Sequence, residues 1–250
     1  MGRAAFQALF FVKAPIRGAV KTRLAADLGQ EAALAVHTAM LRDMGDRLSD
    51  GGFQAAAHFT PADREEAMRA LLGPGFSYVP QRGADLGERM ANAFQAAFTG
   101  GAPAAVLFGG DAPGLTAAVI ARAGGALASG EADAVLGQAA DGGYYMIGFT
   151  RAAFVRAALS RRAFEDMPWG GPKVFARTLG RLRRAGLRVR LSPRLRDLDD
   201  AADLAALAAA RHLPPLRGSR LAALMEAGFP QRGTLEDGDL SLIPLESGTG

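Results

Sequence analysis

The residues best suited to chemistry begin at a basic loop, KAPIRGAVKTRL, running from Lys13 to Leu24. It follows an apolar run, Phe6 to Val12, that reads as a first buried strand. Pro15 and Gly18 shape a turn, and Lys21, Thr22 and Arg23 open the next helical stretch. Phosphate suits such a place. Backbone N–H groups at a helix start favour an anion, Lys supplies a point charge, and Arg supplies a planar fork of donors. Lys13, Pro15, Gly18, Lys21 and Arg23 are therefore the expected phosphate-binding set. Only Lys13, Lys21 and Lys173 are Lys among the 29 Lys and Arg, so two of the three fall in this loop. The string is neither a Walker A loop nor a G-x-G-x-x-G fingerprint, and its charges also suit a solvated helix start.

A second cluster follows the run Ala104 to Phe108. Gly109-Gly110-Asp111 puts one carboxylate where a buried strand leaves its sheet, with glycines that let a ligand approach the backbone. Hard divalent cations take oxygen ligands and commonly bridge one or two carboxylates to phosphates. Asp111 is the first candidate for Mg²⁺ or Mn²⁺. A second acid is available in Arg196-Asp197-Leu198-Asp199-Asp200, with Asp199 preferred and Asp197 the alternative. Asp199 or Asp200 equally suits the N-cap of the helix that follows, and Asp111 suits an Asx turn before Pro113.

The third cluster is Asp141-Gly142-Gly143-Tyr144-Tyr145 between two strand candidates. Asp141 is placed to accept a proton from an attacking hydroxyl or to orient an acceptor. Gly142, Gly143, Tyr144 and the lone Trp169 are the expected walls of an acceptor pocket. An ordinary Asp-Gly hairpin turn explains the same residues, and a lone Trp often simply packs. Arg82 and Arg89 flank Gly83-Ala84-Asp85, where Asp85 suits a helix cap and the two Arg can reach donor phosphate or base.

Several mechanisms are excluded. With no Cys there is no disulfide, thiolate nucleophile or Cys-bound metal. No G-x-S-x-G elbow occurs, and His37, His58 and His212 form no constellation. The charge of +4 comes with an Arg-rich composition and no interleaved stacking aromatics, which argues against nucleic acid as partner. No stretch is long and apolar enough for a bilayer span, so no membrane partner and a cytoplasmic location are expected.

The elements that must position these clusters alternate. Strands are expected at Phe6 to Val12, Phe53 to Phe59, Phe76 to Val79, Ala104 to Phe108, Ala134 to Leu136, Tyr144 to Phe149 and Leu187 to Leu191. Helices are expected at Lys21 to Leu48 with a break near Gly29, and at Ala62 to Leu72, Leu86 to Phe98, Thr116 to Ala128, Val174 to Arg184 and Asp200 to Arg211. This alternation predicts a mostly parallel α/β sheet. Ligands of such sheets gather beyond the carboxyl ends of the strands. Residues 1–212 read as one domain. Residues 213–250, broken by Pro214 and Pro215, read as a C-terminal extension with a short helix at Ser219 to Ala227 and partial disorder.

Taken together, K-x-P-x-x-G-x-V-K-T-R-L at Lys13 to Leu24, D-L-G-E-R-M at Asp85 to Met90, G-x-D-x-P-G-L at Gly109 to Leu115, D-G-G-Y-Y at Asp141 to Tyr145 and D-L-D-D-x-x-D-L at Asp197 to Leu204 resemble a bacterial family of GT-A-like transferases of largely unassigned substrate. The similarity extends more distantly to phospholactate and molybdenum-cofactor guanylyltransferases. It implies a Rossmann-like three-layer α/β/α fold of the nucleotide-diphospho-sugar transferase type, a nucleotide donor, a divalent metal and a small-molecule acceptor. Two departures stand out: Ala112 where the family often has Cys, and Gln138 where a Pro commonly follows the Gly. The leading expectation is a metal-dependent glycosyltransferase using a nucleotide sugar. A nucleotidyltransferase releasing pyrophosphate is the alternative, and a non-catalytic nucleotide-binding protein the third reading.

Overall fold

Strand β1 (Gln7–Lys13) forms where QALFFVK supplies five consecutive buried side chains, the continuous apolar pattern of a strand covered on both faces. It lies in a seven-stranded sheet of a computed structural model that describes residues 5–156 and 164–229. The other strands are β2 (Ala55–Thr60), β3 (Ser77–Pro80), β4 (Ala104–Gly109), β5 (Ala134–Ala139), β6 (Tyr144–Thr150) and β7 (Val189–Leu195). Their order is β3-β2-β1-β4-β6-β5-β7. All pairings are parallel except those of β6, which runs antiparallel to β4 and β5.

The helices are α1 (Thr22–Leu28), α2 (Gln30–Asp50), α3 (Glu65–Leu72), α4 (Leu86–Thr99), α5 (Ala117–Ala128), α6 (Arg151–Arg156), α7 (Val174–Arg184), α8 (Ala201–Ala209) and α9 (Arg220–Ala227). The chain divides into two compact units. The first comprises Met1–Ala14 and Met44–Leu198 and holds the whole sheet; the second comprises Pro15–Asp43 and the chain from Asp199 onward.

In the first unit the strand pleat sends alternate side chains to two helical layers. Leu9 and Phe11 of β1 join Phe94 and Phe98 of α4 and Phe154 of α6 in one core. Phe94 is fully buried and touches the rings of Phe98, Phe149, Phe154 and Phe164. On the other face Phe10 stacks on Phe108 at 5.6 Å. There Gly148 admits Leu127 of α5, since a Cβ at 148 would lie 3.2 Å from that side chain. The result is the three-layer α/β/α arrangement that the family resemblance implies, built on the mostly parallel sheet that the alternation predicts.

In the second unit Gly29, with φ +92°, separates α1 from α2, as the expected break requires. Asp43 accepts the N–H groups of Arg220 and Leu221 at 2.9 and 3.1 Å and so holds the start of α9. Leu216 and Leu221 are buried. The described part of the expected C-terminal extension, residues 213–229, thus packs within this unit; its remainder lies outside the described residues.

Two elements differ from expectation. Strand β7 starts and ends later than Leu187 to Leu191 and includes Pro193. It is an edge strand with mostly exposed side chains, so its periodic signal is weak, and an edge tolerates a proline without an N–H. Helix α6 was not expected; the Thr150 hydroxyl accepts the Ala153 N–H at 3.1 Å and starts it. No described helix is long and apolar enough to cross a membrane.

Candidate functional site

In the first unit, Asp111 stands just beyond the carboxyl end of β4. Its carboxylate folds back over Gly109, where a Cβ would lie 4.0 Å from Oδ2. Its carbonyl accepts the Leu198 N–H at 2.9 Å, which ties the exit of β4 to the stretch after β7. Asp197 directly precedes Leu198 in the chain. The turn beyond Asp111 is held from α2: Arg47 donates through Nη1 to the carbonyls of Pro113 and Leu115 at 2.8 and 3.0 Å. Sequence reasoning missed Arg47, which looks like a routine basic residue in the last turn of a helix.

The Asp141 segment is a hairpin turn between β5 and β6. Asp141 Oδ1 accepts the Gly143 N–H at 2.8 Å, and the Ala139 N–H donates to the Gly143 carbonyl at 3.1 Å. This fulfils the turn reading. The exposed Asp141 keeps a second carboxylate oxygen for other partners. Gly142 is required by close approach: at φ +93° a Cβ would fall 2.1 Å from the Pro172 carbonyl oxygen. The Gly142 carbonyl in turn accepts the Phe175 N–H at 2.9 Å.

Tyr144 points into the first unit. Its hydroxyl donates to Met90 Sδ at 3.7 Å, its ring meets Trp169 edge-on at 6.3 Å, and burial pushes its pKa well up. Trp169 packs against the same core and closes over Gly87, whose added Cβ would lie 3.1 Å from the indole. These two expected acceptor walls are, in this structure, packing groups. Tyr145 takes the other direction. Its hydroxyl donates to the Pro193 carbonyl at 2.8 Å, and burial raises its pKa to about 12, the Ser192 hydrogen bond and Arg122 opposing and Asp197 adding to the rise. The tyrosine is therefore within electrostatic reach of Asp197, beside the stretch that meets Asp111.

Arg82 and Arg89 belong to the loop that starts α4. Asp85 Oδ1 accepts the Glu88 N–H and Glu88 Oε2 accepts the N–H of Ala84, the residue before the cap, both at 2.8 Å. Arg89 Nε donates to the Gly83 carbonyl at 3.2 Å, and the Arg82 carbonyl accepts from Asn92 at 2.9 Å. Both side chains thus lie on the surface of this loop, and Asp85 is its cap.

In the second unit, the basic loop meets the acidic run that opens α8. Lys21 Nζ lies 3.3 Å from Asp199 Oδ1, its side chain only 4% exposed. Arg23 pairs with Asp200 at 2.8 Å on the surface. Asp200 is the N-cap of α8, accepting the Asp203 N–H at 3.0 Å, and this bond above all holds its carboxyl below the usual range. Gly18 takes a left-handed conformation, as does Lys21 itself at φ +45°. Arg17 pairs with the buried Glu31. The helix start is less open than the sequence suggests: α1 has seven residues, and the Leu24 N–H donates to the Asp199 carbonyl at 3.1 Å. Asp199, expected to bind metal, is the partner of Lys21, expected to bind phosphate.

For a divalent ion, no group of three or more His, Cys, Asp and Glu side chains gathers among the described residues. Asp111, at the end of β4, suits the kind of site in which a single carboxylate shares a cation with ligand phosphates. Asp199 is committed to Lys21.

The sheet order and three layers define the class: a Rossmann-like α/β protein with the fold of the nucleotide-diphospho-sugar transferases. A solved structure from Desulfovibrio desulfuricans G20, provisionally described as a nucleotide-diphospho-sugar transferase, is 34% identical, covers 90% of this chain and 95% of its own, and superposes with a TM-score of 0.83. A cytidylyltransferase from Leptospira borgpetersenii serovar Hardjo-bovis shares the fold at 16% identity, covering 90% of this chain and 94% of its own with a TM-score of 0.54. Residues 43–171 match the model of DUF2064, an uncharacterized protein conserved in bacteria, and the chain belongs to that family. Among curated proteins the sequence has no match.

Proposed function

We propose that this protein is a metal-dependent transferase that uses a nucleotide donor, most simply a nucleotide sugar, and passes a group to a small acceptor. The observation that carries the reading is the 34% identity over nearly the whole length to a protein provisionally described as a nucleotide-diphospho-sugar transferase.

In the first unit Asp111, with Asp197 beside its backbone contact, holds the divalent cation. That ion supplies charge stabilisation to a departing phosphate. Arg47 keeps the turn after Asp111 in place, and Tyr145 anchors the stretch that carries Asp197. Asp141 accepts a proton from, or orients, the acceptor hydroxyl through the oxygen that the Gly143 N–H leaves unused. In the second unit Lys21 and Arg23 bear phosphate charge, each exchanging its carboxylate partner for the ligand. Lys13, Pro15 and Gly18 shape the approach to that loop, and Arg82 and Arg89 supply further positive charge on the first unit.

Product analysis with a panel of nucleotide sugars and nucleoside triphosphates tests the proposal. Metal-dependent release of nucleoside diphosphate or monophosphate from a nucleotide sugar supports sugar transfer. Release of pyrophosphate from a triphosphate supports nucleotidyl transfer, which the shared fold of the Leptospira cytidylyltransferase makes the second reading. Absence of turnover with every donor and metal contradicts both.

A further inference from the structure

Arg17 is the cation of the basic loop to which the phosphate-binding set above gives no task. It sits in the turn of that loop, where the Ala19 N–H donates to the Ile16 carbonyl at 3.0 Å and Gly18 takes φ +75°. The return arm of the turn is anchored in the second unit by the buried Val20 and Leu24.

Its partner is unlike those of its neighbours. Asp199 and Asp200, which pair with Lys21 and Arg23, are 37% and 29% exposed, whereas the Glu31 side chain that pairs with Arg17 is 3% exposed. Glu31 lies in the first turn of α2, where the helix dipole favours a carboxylate. A carboxylate so covered is costly to leave without its cation. The Arg17–Glu31 pair therefore persists when a ligand arrives, while the two wetter acids can be exchanged for it.

The pair is also lopsided. The acid is buried, but the Arg17 side chain is 41% exposed. Arg17 donates to Glu31 through Nη2, and its Nε and Nη1 donate to nothing among the described residues. Glu31 is the fixed end, and the guanidinium is the presented end, with planar N–H donors left for an anion.

We propose that Arg17 is a further phosphate-binding residue, aimed by Glu31 as its positioning residue, and that it selects a diphosphate-bearing donor over a monophosphate. This rests on the reading of the loop as the donor's phosphate site. Lys21 and Arg23, at the start of α1, serve one phosphoryl group by giving up their acids. Arg17 extends the positive charge into the turn with no acid to displace, so a second phosphoryl group meets a cation that is already oriented.

Calorimetric titration of the full chain with the four common nucleoside diphosphates, each beside its monophosphate, tests this. In Arg17→Ala the tightest-binding diphosphate is expected to lose about tenfold in affinity, the order of one charge-assisted hydrogen bond, and its monophosphate less than about threefold. Arg17→Lys restores the charge but not the planar donors, and recovers part of the loss. Glu31→Gln weakens the diphosphate in the parent chain but not in the Arg17→Ala background, because it acts through the guanidinium alone; a merely structural role would weaken both. Should Glu31→Gln fail to fold by denaturant unfolding, the two Arg17 variants, altered at a half-exposed side chain, decide the matter. Unchanged diphosphate affinity in Arg17→Ala, or an equal loss for diphosphate and monophosphate, overturns the proposal. Loss of nucleotide binding in Lys21→Ala beside an unaffected Arg17→Ala overturns it while leaving the phosphate reading of the loop intact. No binding of any nucleotide by the parent chain overturns both.

Discussion

Lys21 and Asp199, 178 positions apart in the sequence, form an ion pair of 3.3 Å in which the ammonium is almost wholly covered and the carboxylate is 37% exposed. Removing the acid takes an ionic partner from a covered charge. Asp199→Asn is expected to destabilise the protein by about 2 kcal/mol, less than the ~3–5 kcal/mol of a fully buried pair because the acid stays partly wet. Denaturant unfolding measures it. A loss below a few tenths of a kcal/mol would show that water replaces the carboxylate.

The same lysine is held in a left-handed conformation, φ +45° and ψ +47°, which costs a non-glycine residue about 1 kcal/mol or more. Lys21→Gly is therefore expected to be about 1 kcal/mol more stable than Lys21→Ala, while both lose donor binding alike. Equal stability of the two variants would mean that the backbone is relaxed there.

Asp141 can be separated into turn former and reacting group. Asn keeps the oxygen that accepts the Gly143 N–H, so Asp141→Asn should unfold within about 0.5 kcal/mol of the parent while turnover falls by ~10²-fold or more, the usual contribution of a general base. Gly142→Ala should do the reverse kind of damage, unfolding the turn through the 2.1 Å clash with Pro172. Unchanged turnover in Asp141→Asn would leave the residue as a turn former alone.

His58 supplies a pH signature. Its folded pKa is lowered from 6.5 to about 4 by burial. Above pH 6.5 the ring is neutral in both states. As pH falls from 6.5 towards 4, the unfolded chain takes up a proton that the folded one refuses, and stability declines by about 3 kcal/mol before levelling. The loss over that window is expected to shrink in His58→Phe, measured as the difference between the two pH–stability curves. Parallel curves would contradict it.

Much of the fold was legible because burial leaves a periodic trace. Phe6 to Val12 and Ala104 to Phe108 read as strands since both faces are covered, and Val174 to Arg184 reads as a helix from its apolar stripe. Strand β7 was misplaced because its edge position leaves most side chains wet. Local chemistry was equally readable: Asp85 and Asp200 cap helices, and Asp141 makes the hairpin turn. Long-range pairing was not. Nothing within Lys13 to Leu24 indicates that Lys21 meets Asp199 or that the Asp199 carbonyl takes the Leu24 N–H. Nor does a helix-end Arg47 announce the two carbonyls it holds at Pro113 and Leu115. Those partners follow from topology, which single-sequence patterns do not carry.

The central claim is that Asp111 places a divalent cation for a nucleotide donor. Calorimetric titration of nucleoside diphosphates and nucleotide sugars with and without Mn²⁺, on the parent chain and Asp111→Asn, tests it most directly. The account predicts binding of at least one nucleotide that strengthens with Mn²⁺ and loses that dependence in the variant. Binding that ignores both the metal and the substitution, or no binding by any nucleotide, would contradict it.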